Sequence, residues 1–246
     1  MKKLILAATI TAALAAFTTT LAHAEDKKPD NEFTFNAALS SDYRFRGVSQ
    51  SRLQPALSAG ADYTNNPTGF YLGTWASTIK WTKDAGGGGD FELDIYGGKR
   101  GEIVKDVSYD IGLLTYVYPS NGLTPKADTT EIYGQVGYGP AYAKYSYGLT
   151  NIFGFVDSKR SGYLDLGANI DIAEGTQLNL HLGHQSVRNN PDFEYTDYKV
   201  GVTKDFGVAS LSAAVIGTNN KNYLGPAPDL KNLGKTALVV AVSKTF

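Results

Sequence analysis

The amino-acid sequence predicts an all-β protein, a transmembrane antiparallel up-and-down β-barrel of about twelve strands with both termini in the periplasm. Three observations lead to this prediction. The chain opens with an export signal. Apolar and polar residues then alternate with a period of two over most of its length. The connections between these alternating segments are short and long in turn, as in outer-membrane barrels.

Residues 1–24 have the pattern of a cleaved secretory signal peptide. Two lysines precede an apolar stretch rich in Ala and Thr, and Ala22-His23-Ala24 supplies a small-x-small cleavage site. Residues 25–32 are charged and are predicted to form a disordered periplasmic leader, so the barrel is expected to span 33–246. Cleavage leaves 21 basic and 24 acidic side chains, which excludes binding of nucleic acid through bulk charge.

The composition fits strands better than helices in a membrane. No mature segment approaches the ~20 consecutive apolar residues that a membrane helix needs, and the mean hydropathy is −0.22. The 246 residues include 27 glycines, 16 tyrosines and no cysteine, so an exported chain is predicted to hold together without disulfides. In a β-barrel, alternation hides the apolar surface from such averages.

Alternation begins directly after the leader. The first predicted strand covers 33–46. Its apolar face consists of Phe33, Phe35, Ala37, Leu39, Tyr43 and Phe45, and its polar face of Thr34, Asn36, Ser40, Asp42, Arg44 and Arg46. The aromatic stretch 70–81 has an ambiguous parity. The residues predicted on its apolar face are Tyr71, Trp75, Ile79 and Trp81.

The remaining segments repeat the pattern, and one of the clearest covers 164–172. There Leu164, Leu166, Ala168, Ile170 and Ile172 oppose Asp165, Asn169 and Asp171. The segments number about twelve, each near the 9–11 residues that cross a bilayer at a tilt. An even number is expected of bacterial single-chain barrels.

The connections between predicted strands alternate in length. Short connections are predicted around 65–68, 101–106, 139–140, 173–175 and 205–207, and long ones at 82–90, 119–129, 151–161, 188–193 and 218–233. Short turns face the periplasm in outer-membrane barrels, and long loops face the exterior. This asymmetry predicts that both termini are periplasmic.

The apolar face carries almost no charge in mid-strand, as a lipid-facing surface requires. Aromatic residues predicted near strand ends, as membrane-interface girdles, are Phe33, Phe45, Tyr63, Tyr138, Tyr198, Phe206 and Phe246. The C-terminal residues Leu238, Val240, Val242 and Phe246 share one face and resemble the strand that barrel-assembly machinery recognises, although Lys244 departs from that pattern. The alternative is a soluble β-domain that ends in Phe.

One long block carries a family resemblance. Residues 41–51 read Ser-Asp-Tyr-Arg-Phe-Arg-Gly-Val-Ser-Gln-Ser, and further matches include 55–57, 69–77 and the terminal Ser243-Lys244-Thr245-Phe246. With these segments the chain resembles the TorF-type porins of proteobacteria over essentially the whole mature sequence. The resemblance implies an outer-membrane barrel of a Gram-negative bacterium. It implies no catalytic motif and no agreed solute.

The polar face supplies the candidate site residues, which are predicted to line the lumen or a constriction. They are Asp42, Arg44, Arg46, Asp62, Glu92, Asp94, Asp110, Glu131, Lys144, Asp165, Asp197, Lys199 and Lys235. Two interpretations of Arg44 and Arg46 stay open. They line a constriction for an anionic solute, with Lys235 across the closure of the barrel, or they pair with lumen acids and fill the barrel. The excess of acids favours cations overall.

Other candidate chemistry is weaker. His184 and Ser186 share the outward face, similar to the His-x-Ser of outer-membrane phospholipases, but no Asn or Asp orients the histidine. His181 points into the lumen by parity and is predicted to be a polar wall residue; it cannot share a metal with His184. The Gly-rich stretch 84–90 lacks the GK[ST] of a phosphate-binding loop. No catalytic residue, cofactor or metal is predicted.

These observations predict passive diffusion of small hydrophilic solutes through an outer-membrane porin-like channel. Twelve strands leave a narrow lumen, and 218–233 is long enough to fold in as a constriction. The expected partners are outer-membrane lipid, the assembly machinery and the solute. Two alternatives stay open: an outer-membrane enzyme of lipase type, and a structural or adhesive barrel with an occluded lumen.

Overall fold

The computed structural model of the chain describes residues 29–246. The predicted signal peptide and the first half of the predicted leader, residues 25–28, therefore lie outside the described residues. Two short helices, α1 (Trp81–Asp84) and the 3-10 helix η1 (Pro191–Phe193), lie in connections between strands. Within the described part of the chain, neither helix has the length and apolarity that crossing a membrane requires.

Twelve strands form a closed antiparallel barrel, and two more form a small separate hairpin. The barrel strands are β1 (Asn31–Ser40), β4 (Ala56–Asn65), β5 (Phe70–Thr78), β6 (Phe91–Val104), β7 (Val107–Val117), β8 (Thr129–Tyr138), β9 (Ala141–Gly148), β10 (Gly162–Ala173), β11 (Thr176–Ser186), β12 (Tyr195–Asp205), β13 (Ser210–Thr218) and β14 (Ala237–Thr245). The hairpin consists of β2 (Arg44–Phe45) and β3 (Val48–Ser49).

Consecutive barrel strands pair with each other, and β1 closes the ring. It pairs with β4 on one edge and with β14 on the other, so that Asn36 lies opposite both Gly60 and Thr245. No barrel strand keeps an open edge, which is the condition for a sheet to satisfy its backbone groups within a membrane. The predicted fold class, an antiparallel barrel of twelve strands, is confirmed.

The outer surface is apolar and the interior is polar. Outward positions carry exposed Phe, Leu, Ile or Val side chains on eleven barrel strands, including the C-terminal Leu238, Val240 and Val242, and exposed Tyr145 on β9. Charged residues such as Asp94, Asp110, Asp165 and Asp197 are buried inside the barrel. A soluble barrel has the opposite arrangement, because it buries its apolar face in the interior.

The predicted parity of β5 is wrong. Tyr71 and Trp75, together with Ile79 just after the strand, are buried inside the barrel, whereas Phe70 and Leu72 are exposed on its outer surface. Trp81 lies in α1 rather than in a strand. These inward rings pack into the interior, where the aromatic cluster of Tyr43, Trp75, Tyr116 and their neighbours takes up the space.

The first strand ends earlier than predicted, at its C-terminal end. It begins at Asn31, within the predicted leader, and ends at Ser40. Residues 41–55, here named the inward segment, then turn into the barrel and carry the β2–β3 hairpin. Positive φ angles at Arg46 and Gly47, of 46° and 80°, reverse the backbone there. Phe45 is therefore buried in the interior, and its predicted place in an aromatic girdle is wrong.

The two ends of the barrel differ as the loop lengths predict. Five turns of two to four residues lie at the end that also holds Asn31 and Phe246, here named the terminal end. Six connections of eight to 18 residues lie at the opposite, loop end. In the connection 219–236, which includes most of the predicted constriction, Tyr223 and Leu233 pack against Val48 of the inward segment.

A lipid-facing outer surface predicts a depth-dependent penalty for charge. Ile111 lies in the middle of β7 and is 56% exposed, whereas Val104 lies beside a short turn and is 61% exposed. We expect Ile111→Arg to lower the free energy of unfolding by about 2–4 kcal/mol and Val104→Arg by about 0–1 kcal/mol. Equilibrium denaturation in lipid vesicles measures both values. Equal penalties at the two depths would contradict a lipid-facing surface.

Candidate functional site

Arg44 anchors the inward segment to the loop end. Its Nε donates to Asp42 Oδ2 at 2.5 Å, and its Nη1 donates to the carbonyls of Gly47, Leu233 and Lys235 at 2.9–3.0 Å. Asp42 also accepts hydrogen bonds from the hydroxyls of two serines of the segment. One guanidinium thus joins the hairpin to the connection 219–236. The Lys235 side chain itself is exposed and does not face Arg44 with its charge.

Arg46 crosses the lumen and binds the opposite wall. Its guanidinium donates to both oxygens of Glu131, at 3.0 and 2.6 Å, and to Gln185 Oε1 at 2.6 Å. It also lies over the rings of Phe45 and Tyr163, at 4.8 and 4.2 Å. Burial alone would lower the pKa of Arg46, but the Glu131 carboxylate outweighs it and holds the pKa above its usual value. The inward segment is therefore cross-linked to β8 and β11.

Aromatic rings fill the space around this pair. Phe45 packs edge-on against Tyr116 and Phe153, and Tyr43 against Trp75, with ring centroids 5.3–5.5 Å apart. The Tyr43 hydroxyl donates to Glu92 Oε1 at 2.9 Å. Burial, followed by the charges of nearby carboxylates, raises the pKa of Tyr43 well above its usual value, so the hydroxyl stays a donor.

Together these groups close the loop half of the barrel. A continuous buried layer runs round the interior and takes one side chain from each strand between β4 and β14. These side chains are Ala56, Trp75, Asp94, Tyr116, Glu131, Ser146, Tyr163, Gln185, Tyr195, Ile216 and Val239. The inward segment occupies the middle of this layer, here named the closed layer.

The terminal half is open to solvent along part of its wall. Inward side chains of β1 and β10–β13 are partly exposed there, among them Asn36, Asn169, Asn179, Thr203 and Ser212. Asn179 donates to Asn169 at 2.8 Å and accepts from Thr203 at 2.8 Å. The terminal half of the interior is thus a partly solvent-accessible polar space, here named the vestibule, that ends at the closed layer.

His181 stands between the two regions. Its Nδ1 lies 2.8 Å from Asp165 Oδ1 and its Nε2 lies 2.6 Å from Asp197 Oδ2. Because both ring nitrogens face carboxylates, both donate, and the ring is an imidazolium. Beside it, Gly183 pairs with Asp165 and Asp197 on the adjacent strands and leaves the space that the Tyr163 hydroxyl occupies. A Cβ at Gly183 would lie 2.1 Å from the Tyr163 hydroxyl.

Sequence parity placed His181 in the lumen but missed this bridge. The available signal was the row Asp165, Gly183 and Asp197 across three consecutive strands, because a glycine between two acids leaves a gap for a neighbouring side chain. Recognising the row requires the strand register, which periodicity alone does not supply.

The other predicted lumen residues face inward but do not form one ring of charge. Asp62 accepts from Tyr96 at 2.7 Å, and Asp110 accepts from Tyr71 at 2.5 Å. Lys144 lies over the ring of Tyr133 at 4.1 Å. Lys199 pairs in register with His181 and is partly exposed. The charges are distributed through the barrel, each beside an aromatic or an opposite charge.

The lipase-type pair is not assembled. His184 Nδ1 lies 3.1 Å from the Thr196 hydroxyl, and the Ser186 hydroxyl bonds the backbone of Gly162. Among residues 29–246 no hydrogen bond joins His184 to Ser186. In the same range no group of three or more His, Cys, Asp or Glu side chains is arranged to hold a metal.

Comparison with known proteins places the chain in a family. Residues 24–246 match the family described as a bacterial protein of unknown function, Gcw_chp. The chain belongs to the Gcw_chp family. No curated protein matches this Gcw_chp chain. The TorF-type resemblance stays a prediction, since the family description does not carry that name.

Solved structures share the fold of the Gcw_chp chain. It is similar to the KdgM porin, with a TM-score of 0.55 and 6% identity over 87% of this chain and 98% of that one. The NanC porin gives a TM-score of 0.55 and 9% identity over the same shares. A KdgM porin in complex with disordered oligogalacturonate gives a TM-score of 0.54 and 7% identity, over 87% of this chain and 98% of that one. At these identities the likeness establishes the fold.

The Arg46–Glu131 pair predicts a large stability effect. Their side chains are 6% and 3% exposed. We expect Arg46→Ala to lower the free energy of unfolding by about 3–5 kcal/mol, because it leaves a buried carboxylate without its partner. Adding Glu131→Gln should restore part of the loss. Denaturation in detergent micelles measures the free energy of unfolding of each variant, and Arg188→Ala, at an exposed position, is the control. A loss of unfolding free energy in Arg46→Ala no larger than in Arg188→Ala would refute the role of the pair.

Proposed function

We propose that this protein is an outer-membrane, porin-like channel for small hydrophilic solutes, closed in the described conformation by the inward segment. It is exported by the signal peptide and has its termini and its vestibule on the periplasmic side. The observation that carries the proposal is the closed barrel with apolar residues outside and charged residues inside. A water-soluble solute is the cargo for which a polar interior in an apolar shell is suited.

The vestibule supports hydrophilic solutes in particular. Its partly exposed amides and hydroxyls, such as Asn169, Asn179 and Thr203, offer donors and acceptors without a fixed charge. His181 and Lys199 stand at its inner end, beside Asp165 and Asp197. The barrel interior itself needs no cofactor for passive diffusion.

Passage requires the inward segment to move. The barrel wall is held by strand pairing, whereas the segment is held by its two arginines, by aromatic packing and by hydrogen bonds to neighbouring connections. Loss of Arg46 contacts frees the tip of the hairpin without breaking the ladder of any barrel strand. The pairs of Arg44 with Asp42 and of Arg46 with Glu131 support the second of the two interpretations left open by the sequence, in which these arginines fill the barrel.

The channel proposal predicts a conductance that depends on Arg46. In planar bilayers the wild type should give small or rare openings, and Arg46→Ala should conduct several-fold more, because the hairpin is released from Glu131 and Gln185. Arg188→Ala, at an exposed position on the loop end, should behave as the wild type does. Liposome swelling in small sugars checks the passage of solutes.

If neither the wild type nor Arg46→Ala conducts, and liposomes do not swell, the channel proposal fails. The closed layer would then favour the second candidate, a structural or adhesive barrel that acts through its loops. The long connections at the loop end are the surface available for that role. The lipase-type alternative has no support from the positions of His184 and Ser186.

A further inference from the structure

One wall of the vestibule carries amides and hydroxyls without a fixed charge. Asn169 on β10 lies directly opposite Asn179 on β11, and Asn179 lies opposite Gly201 on β12. Both asparagines and Thr203 are partly exposed. Gly201 in turn pairs with Ala214 on β13. Because neither of these two residues has a long side chain, the amides are not covered from that side.

Hydrogen bonds within the wall fix how these amides are oriented. Asn179 Nδ2 donates to Asn169 Oδ1 at 2.8 Å and to Gln177 Oε1 at 3.1 Å, and Asn179 Oδ1 accepts from the Thr203 hydroxyl at 2.8 Å. Asn169 Nδ2 donates to no residue within 29–246. Asn179 Oδ1 keeps a second lone pair. An oriented donor and an oriented acceptor therefore border the partly hydrated space.

An aromatic ring lies beside this pair of amides. Tyr142, near the start of β9, pairs with Gly167 on β10, which is the inward position next to Asn169. A Cβ at Gly167 would overlap Cζ and Oη of Tyr142, so the ring lies over the glycine. Tyr142 is partly exposed. A ring next to a few oriented polar groups is typical of small-molecule sites. Sugars fit such a site, because their C–H groups pack on aromatic rings while each hydroxyl can donate and accept.

The charges near this wall balance one another. The His181 imidazolium and Lys199 are positive, and Asp165 and Asp197, which act on both, are negative. Nearer the terminal end, Asp171 is exposed on the same strand as Asp165. An anionic solute therefore meets no excess of positive charge here and is repelled by Asp171, whereas an uncharged solute is not.

The opposite wall is balanced in a similar way. Arg100 donates to the Thr64 hydroxyl at 2.9 Å and lies over the ring of Tyr71 at 4.9 Å. Its charge acts on Asp62, which also accepts a hydrogen bond from Tyr96 at 2.7 Å. The cation on this wall is thus opposed by a carboxylate, and the balance of charge again favours a solute without a net charge.

We propose that the wall of Asn169, Asn179 and Tyr142 is a binding site for a neutral sugar. Asn169 Nδ2 donates to one sugar hydroxyl, Asn179 Oδ1 accepts from a neighbouring hydroxyl, and a face of the sugar ring packs on Tyr142. This inference rests on the proposed function, since it names the class of solute that the vestibule admits. The site lies on the terminal side of the closed layer, so a sugar reaches it in the closed conformation.

Saturation-transfer NMR tests the site, with D-glucose as the probe and the full chain folded in detergent micelles. The wild type should give a saturable transfer to the sugar protons. Asn169→Asp keeps the acceptor for Asn179 but removes the free donor, so it should weaken glucose binding by about tenfold. Tyr142→Ala should weaken it by about fivefold. The control is Tyr145→Ala, since this ring also lies over a glycine, Gly162, but on the outer face of β9.

Charged analogues test whether the site selects neutral sugars. D-glucuronate differs from D-glucose by a carboxylate and should bind more weakly, and protonated D-glucosamine should bind no more tightly than glucose. Heat-modifiable mobility in gels shows that each variant has folded. A folded wild type without saturable transfer would overturn the proposal, as would an equal loss of binding in Tyr145→Ala. Tighter binding of either charged analogue would also overturn it.

These measurements do not depend on conductance, so the two proposals can fail separately. A protein that conducts but does not bind glucose would contradict the sugar site and leave the channel standing. A protein that binds glucose at this wall but never conducts would support the site and contradict the channel.

Discussion

The pairing of β1 with strands on both of its edges is the constraint on which the rest of the structure depends. It closes the sheet, and a closed sheet leaves no backbone donor or acceptor facing lipid. Closure also fixes an inside and an outside for every residue, because side chains alternate along each strand. The sorting of Phe, Leu, Ile and Val to the outer surface and of Asp, Glu and Lys to the interior follows from that single condition.

The interior then has to be filled or hydrated, and the chain does both. In the loop half, aromatic rings and the Arg46–Glu131 pair exclude water. In the terminal half, amides and hydroxyls line a partly hydrated space. Burying the Arg46–Glu131 pair in the dry half costs desolvation energy, so the intact pair adds little net stability compared with apolar side chains of the same size. Its main contribution is to fix the position of the inward segment.

The sequence predicted the barrel well, because period-two alternation and loop asymmetry are local signals that closure preserves. The runs 164–172 and 238–242 face as predicted, with the apolar side outward. The failures arise where the interior competes with lipid for aromatic residues. Trp75 and Tyr71 suit either environment, so hydrophobicity cannot assign them; only pairing with β4 and β6 does.

The candidate site was harder to predict than the fold. Parity correctly placed Arg44 and Arg46 inside, but the end of β1 was missed, although Ser41 interrupts the apolar face there. The partners that tie these arginines to the wall and to the connection 219–236 lie 85 to 191 residues away in the chain, and no periodicity encodes such contacts. The Asp165–His181–Asp197 bridge depends likewise on strand register.

With the vestibule at one end and the closed layer at the other, the barrel interior is accessible from the terminal end alone. A barrel filled evenly would present equivalent surroundings to the two compartments it separates. Here one end of the barrel presents partly exposed amides and hydroxyls, and the other end presents folded connections above packed rings. In the proposed channel, a solute therefore enters from the terminal end while the loop end stays closed.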